Sequence, residues 1–182
     1  ADFTDKRPHA VIGMVPGEIV TTDAGYAEKI SVEDDILKIA VIERHKNTHH
    51  IGIGYIQGYG LKSGAVATSI SHDSHNIIVV GTNEEDMAFA ANHIVRNHGG
   101  ITVVEDGQVK GELLLPIAGI MSADKLVNVN RDLEAAKKSA YELGVSTGID
   151  PFMTLSFMAL PVIPSLRITT RGVFDVTSQR YV

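Results

Sequence analysis

Cysteine is absent from the 182 residues, so disulfides and thiolate metal sites are both excluded. That absence fits a reducing cytoplasm. Long apolar runs are missing too: Asp, Lys, Gly or Pro interrupts each hydrophobic stretch short of the roughly 20 residues of a membrane span. The opening Ala1-Asp2-Phe3-Thr4-Asp5-Lys6-Arg7 lacks the apolar core of a signal peptide. Positive charge is in short supply. Sixteen Lys and Arg against twenty-two Asp and Glu leave a net charge of −6, which argues against a nucleic-acid or acidic-membrane surface. What is present is 44% hydrophobic residues, enough for one well-filled core in a single domain. The expectation is a soluble, intracellular, globular chain with no nucleic-acid or membrane partner.

Strand signals dominate the first half. Ala10 to Val20 reads as an apolar strand pair broken at Pro16-Gly17, and the polar Thr21 to Asp35 as a surface loop. Short strands follow at Ile36–Glu43, Ile51–Gln57, Gly64–Ser71 and Ile77–Gly81. In the second of these, Gly52 and Gly54 leave one face nearly bare, which suits a close neighbouring backbone or a ligand, close packing being the commoner reason. A helix is expected from about Glu84 to His98, started by a Thr82–Glu85 capping box and stopped at Gly99-Gly100. Asp106-Gly107 turns a hairpin between Ile101–Glu105 and Gln108–Leu115. Leu126, Val129, Leu133, Ala136, Ala140 and Leu143 mark a second amphipathic helix. The run Phe152–Leu160 has apolar residues at helical and alternating positions alike and reads as core, with Thr154 and Ser156 bonded to backbone. Short strands at Leu166–Thr169 and Val173–Val176 close the chain. The pattern predicts an α+β fold: mixed, largely antiparallel sheet layers with two main helices covering the sheet. Residues 1–35 read as a junction, and 36–182 as the domain.

The densest chemistry lies in His72-Asp73-Ser74-His75-Asn76, five polar residues joining two apolar strands where a two-residue turn would suffice. Two imidazoles, a carboxylate, a hydroxyl and an amide can serve catalysis or binding, or simply order a loop through side-chain bonds to its own backbone. As metal ligands, His72, His75, His45 and the His49-His50 pair match no recognised spacing. As a triad, Ser69, Ser71 or Ser74 with these histidines and Asp73 lie within one loop, whereas triads converge from separate parts of a fold. No Gly-x-Ser-x-Gly elbow, Walker sequence or helix-opening Gly-x-Gly-x-x-Gly occurs. A second constellation, Glu43-Arg44-His45-Lys46-Asn47-Thr48, ends a strand. It admits two readings, a solvated loop or a group of side chains that orients an anionic or heteroaromatic ligand.

Glu43–Lys46, Gly58–Ala65, Ser71–Asn76, Val80–Met87, Leu115–Ser122 and Pro151–Pro161 together resemble, in order, the C-terminal domain of bacterial-type adenine deaminases. Val15–Thr21 looks like the junction before that domain. The resemblance spans nearly the whole chain. It implies part of an amidohydrolase-superfamily enzyme that converts adenine and water to hypoxanthine and ammonia in purine salvage. The divalent metal of such an enzyme, Mn or Fe, sits in a (β/α)₈ barrel. No barrel fits in this chain, because a barrel alone needs about 250 residues. The resemblance therefore places the cofactor and the catalytic residues outside it and makes the barrel domain its partner, adenine the substrate of the whole and a homo-oligomer the expected assembly. Arg44, His45, His72, Asp73, Ser74, His75 and Asn76 become candidates for substrate binding or a domain interface. The alternatives are a non-catalytic structural or oligomerisation module and a small stand-alone enzyme built on His72, Asp73 and His75.

Overall fold

A computed structural model describes residues 2–5 and 7–182. The strands are β1 (His9–Met14), β2 (Thr21–Ala27), β3 (Ile36–Ile42), β4 (Ile51–Gln57), β5 (Ala65–Thr68) and β6 (Ile77–Gly81). Then come α1 (Glu84–Arg96), β7 (Gly100–Glu105), β8 (Gln108–Leu114), α2 (Leu126–Glu142), α3 (Pro151–Met158), β9 (Leu166–Thr169), β10 (Gly172–Asp175) and β11 (Arg180–Tyr181). The first eight strands form one sheet in the order β2-β1-β4-β3-β6-β5-β7-β8, and β11-β10-β9 form a second. Among the described pairs, β1 with β4 is parallel and the others are antiparallel. The fold is α+β, a mixed eight-stranded sheet and a three-stranded sheet with three helices, and the described residues form no closed barrel.

Successive side chains in a strand point to opposite faces, and in the centre of this sheet both sets are apolar. Leu37, Ile39 and Val41 of β3, with Ile78 and Val80 of β6, pack in the core under α2, α3 and the β9–β10 hairpin. Ala40, Ile77 and Val79 point the other way, into the core beneath α1. The central strands are thus covered on both faces, which explains their near-continuous β-branched composition.

The bare face of β4 is filled by backbone. An added Cβ at Gly52 would lie 1.8 Å from the Thr169 carbonyl oxygen and 2.4 Å from the Gly172 nitrogen. Close approach of the β9–β10 hairpin is therefore the role of that glycine.

Three sequence expectations need correction. β1 pairs not with a strand at 15–20 but with β2, inside the stretch read as a surface loop. As an edge strand, exposed from Thr22 to Tyr26, β2 carries no apolar alternation to betray it. The cap of α1 is Asn83, whose side chain accepts from the Asp86 N–H, rather than Thr82. Finally, the Phe152–Leu160 run yields a third helix, α3, with Pro151 in its first turn and Asp150 accepting from the Phe152 and Met153 N–H groups.

Candidate functional site

The loop from Ser69 to Asn76 joins β5 to β6 at one end of the sheet, and three distant segments hold it. Arg44, just past β3, donates from Nε to the His75 carbonyl at 2.5 Å and from Nη2 to the Ala118 carbonyl at 2.7 Å. Its backbone N–H donates to Asn76 Oδ1 at 3.2 Å. Gly119 lets the guanidinium lie flat on the 117–121 turn, since a Cβ there would sit 2.6 Å from Nη2. Ser69 fastens the same turn by donating from Oγ to the Gly119 carbonyl at 2.5 Å. The His72 N–H donates to the Ser156 carbonyl of α3 at 3.1 Å.

Within the loop, His75 is locked. Its N–H donates to the Ser71 carbonyl at 2.6 Å, and its Nδ1 accepts from the Ser71 N–H at 3.3 Å, which leaves the proton on Nε2. Burial, helped by the neighbouring His72, lowers its pKa below 6.5. His45 Nε2 donates to the Ser74 carbonyl at 2.6 Å. Among the described residues, the His72 ring makes ring contacts only, with His75 at 5.7 Å and Phe157 at 5.3 Å between centroids.

The Glu43 constellation resolves toward loop capping. The Glu43 carboxylate accepts from the backbone N–H groups of His45, Lys46 and Thr48 and from the Thr48 hydroxyl. These bonds, that of the Thr48 N–H first, hold its pKa down at about 2. Arg44 is different. Among the described residues no carboxylate pairs with it, and burial lowers its pKa.

All seven residues singled out from sequence gather at this end of the sheet, with divided roles. Asp73, Ser74 and Asn76 line an open cleft of about 450 Å³, whose opposite wall is Leu160, Pro161, Val162 and Ile168. Arg44 and His45 brace the loop through its carbonyls, and the His72 ring lies against Phe157 of α3 and also contacts His75. Sequence reasoning missed Ala118, Gly119, Phe157, Thr169 and Thr170, which reach the site from far along the chain. It also expected a backbone partner for Ser156. Instead, Ser156 Oγ and Ser71 Oγ are buried without partners among the described residues.

Two chemistries are poorly served. Among the described residues no hydrogen bond joins a serine hydroxyl to a histidine here, as a triad would require. No group of three His, Cys, Asp or Glu side chains among them is placed to hold a metal ion, so the described residues do not fit one.

Fold and site together define an α+β domain that presents a braced polar loop beside a half-apolar cleft. The model of the adenine deaminase C-terminal domain matches residues 17–180, and the chain belongs to that family. It is 48% identical over 176 residues to adenine deaminase 2 of Carboxydothermus hydrogenoformans, covering 92% of this chain and 31% of that protein. Identity to the adenine deaminase of Brucella anthropi is 47% over 178 residues, 94% of this chain and 31% of that one. Adenine deaminase 1 of Rhizobium johnstonii is 48% identical over 174 residues, 91% and 30% respectively. The chain spans about a third of the length of the curated relatives it matches.

Proposed function

We propose that the chain serves as the C-terminal part of an adenine deaminase, in which adenine and water give hypoxanthine and ammonia. In this reading residues 36–182 form the domain, residues 1–35 are the junction to the catalytic portion, and the loop His72–Asn76 faces the mouth of the catalytic site. The observation that carries it is the cleft, which sets the polar Asp73, Ser74 and Asn76 opposite an apolar wall. An aromatic base with hydrogen-bonding edges asks for such a pairing of surfaces. An Asn amide can donate and accept at once, matching ring nitrogens that accept and an exocyclic amine that donates. Arg44 and His45 act as positioning residues, holding the loop by its carbonyls.

The metal, Mn or Fe, belongs to the catalytic portion, where it supplies an activated hydroxide. A cytoplasmic location, with which the lack of cysteine agrees, and a homo-oligomeric enzyme complete the proposal. The test is Asp73→Ala in the whole enzyme, because that exposed side chain lines the cleft and has no hydrogen bond to lose among the described residues. We expect kcat/KM for adenine to fall about tenfold or more, roughly 1.4 kcal/mol of transition-state stabilisation, with Tm unchanged. Unaltered kinetics would sink the active-site reading and leave a structural module.

A further inference from the structure

The apolar side of α2 outruns the core that covers it. Leu126, Val129, Leu133, Ala136 and Ala140 recur at helical spacing and share one side of the helix. Their burial rises steadily along the chain: Leu126 is 82% exposed, Val129 and Leu133 are partly buried, and Ala136 and Ala140 are at 0%. The helix therefore stands away from the sheet at its N-terminal end. Beneath that end lies a groove of about 300 Å³, walled by Leu113, Leu115, Ile120, Val129 and Phe152. Nearby, Met121 and Met153 are about half exposed. Single exposed apolar residues are ordinary, but an apolar groove continuous with a helix's own core stripe marks a surface made to be covered.

We infer that this groove seats an apolar segment of the catalytic portion of an adenine deaminase, an inference that rests on the function proposed above. Two observations point to that occupant over a second copy of the chain. About two thirds of each relative lies outside the matched stretch, so a body larger than this domain is available to cover it. The groove also adjoins the proposed site, for the 117–121 turn that supplies Ile120 to its wall is the one bound by Arg44 and Ser69. A body resting on the loop His72–Asn76 meets the groove within a single turn of chain.

The experiment compares amide hydrogen exchange of this 182-residue chain alone with the same residues joined to the catalytic portion. Residues 117–130 should exchange about tenfold or more slowly in the joined enzyme. Leu126→Asp should abolish that protection and lower the Tm of the joined enzyme, while the chain alone keeps its Tm because the side chain is exposed there. Val95→Asp, on exposed α1 across the sheet, should do neither. Equal exchange in both forms overturns the inference. So does protection that appears in the chain alone and grows with concentration, which would assign the groove to a second copy. Protection at 72–76 without protection at 117–130 removes this inference and leaves the proposed function standing. Groove protection with normal Asp73→Ala kinetics does the reverse.

Discussion

Gly52→Ala would test the packing that forms one wall of the cleft. The new Cβ must move from 1.8 Å to beyond 3.0 Å from the Thr169 oxygen, and its neighbours are backbone atoms of the β9–β10 hairpin that no rotamer can clear. The hairpin must retreat by about an ångström. Leu166, Ile168 and Val173, all at most 2% exposed, would then loosen against the core. Each gains about 1.5–3 kcal/mol from burial, and a gap of that size forfeits about a quarter to a half of the contact energy. Adding about 1–3 kcal/mol of overpacking gives a total loss of about 2–7 kcal/mol. For a chain of this size that is a fall in Tm on the order of 10 °C. Urea denaturation with linear extrapolation measures it directly. Gly54→Ala supplies the contrast, because its Cβ meets the Val173 Cγ2 atom at 2.5 Å, a side chain that can turn. We expect about 1–2 kcal/mol there. A loss below about 1 kcal/mol at Gly52, or equal losses at the two sites, would refute the close-approach argument.

Arg44→Ala removes the donors to His75 and Ala118; we expect a loss of about 1–2 kcal/mol and faster amide exchange at 74–76 and 118–120, and unchanged exchange would show that the loop holds itself. For Glu43, the folded pKa of about 2 lies below its ordinary 4.5, so its stabilising contribution is present above pH 4.5 and is lost as pH falls toward 2. Urea midpoints measured from pH 6 to 2 should therefore drop further for the wild type than for Glu43→Gln, and parallel curves would contradict the capping role. Asp150→Ala removes the cap of α3 and the 2.8 Å contact with Lys137, at about 1–2 kcal/mol. Asp150→Asn keeps the capping oxygen and should recover most of that in thermal melts. If the Asn variant melts as low as the Ala variant, the cap is not what matters.

The sequence reveals much of this fold where burial is one-sided or complete. α2 shows its helical period because one side meets a core, and the β7–β8 hairpin shows its Asp106-Gly107 turn. β2 hides because an edge strand exposed on both faces has no period to read, and α3 is ambiguous because five of its eight residues are buried, erasing the contrast between sides. The candidate loop stands out because five consecutive polar residues exceed what a turn needs. Its supports do not. Ala118, Gly119 and Phe157 carry no distinctive chemistry, and each matters through a backbone carbonyl, a missing Cβ or a ring face that only the tertiary fold brings near.

The single parallel pairing among the described strands has a consequence for synthesis. Val11, Ile12 and Gly13 of β1 lie beside Tyr55, Ile56 and Gln57 of β4. Of this sheet's own strands, β1 and β2 leave the ribosome first and, within the sheet, can join only each other, as a two-stranded hairpin that is marginal in water. Their permanent neighbour follows roughly forty residues later, a delay of about 2–9 s at ordinary elongation rates. Through that interval Val11 and Ile12, at most 1% exposed in the finished fold, lack the strand that lies beside them there. The nascent chain is most open to chaperones, or to pairing with a neighbouring copy, before β4 arrives.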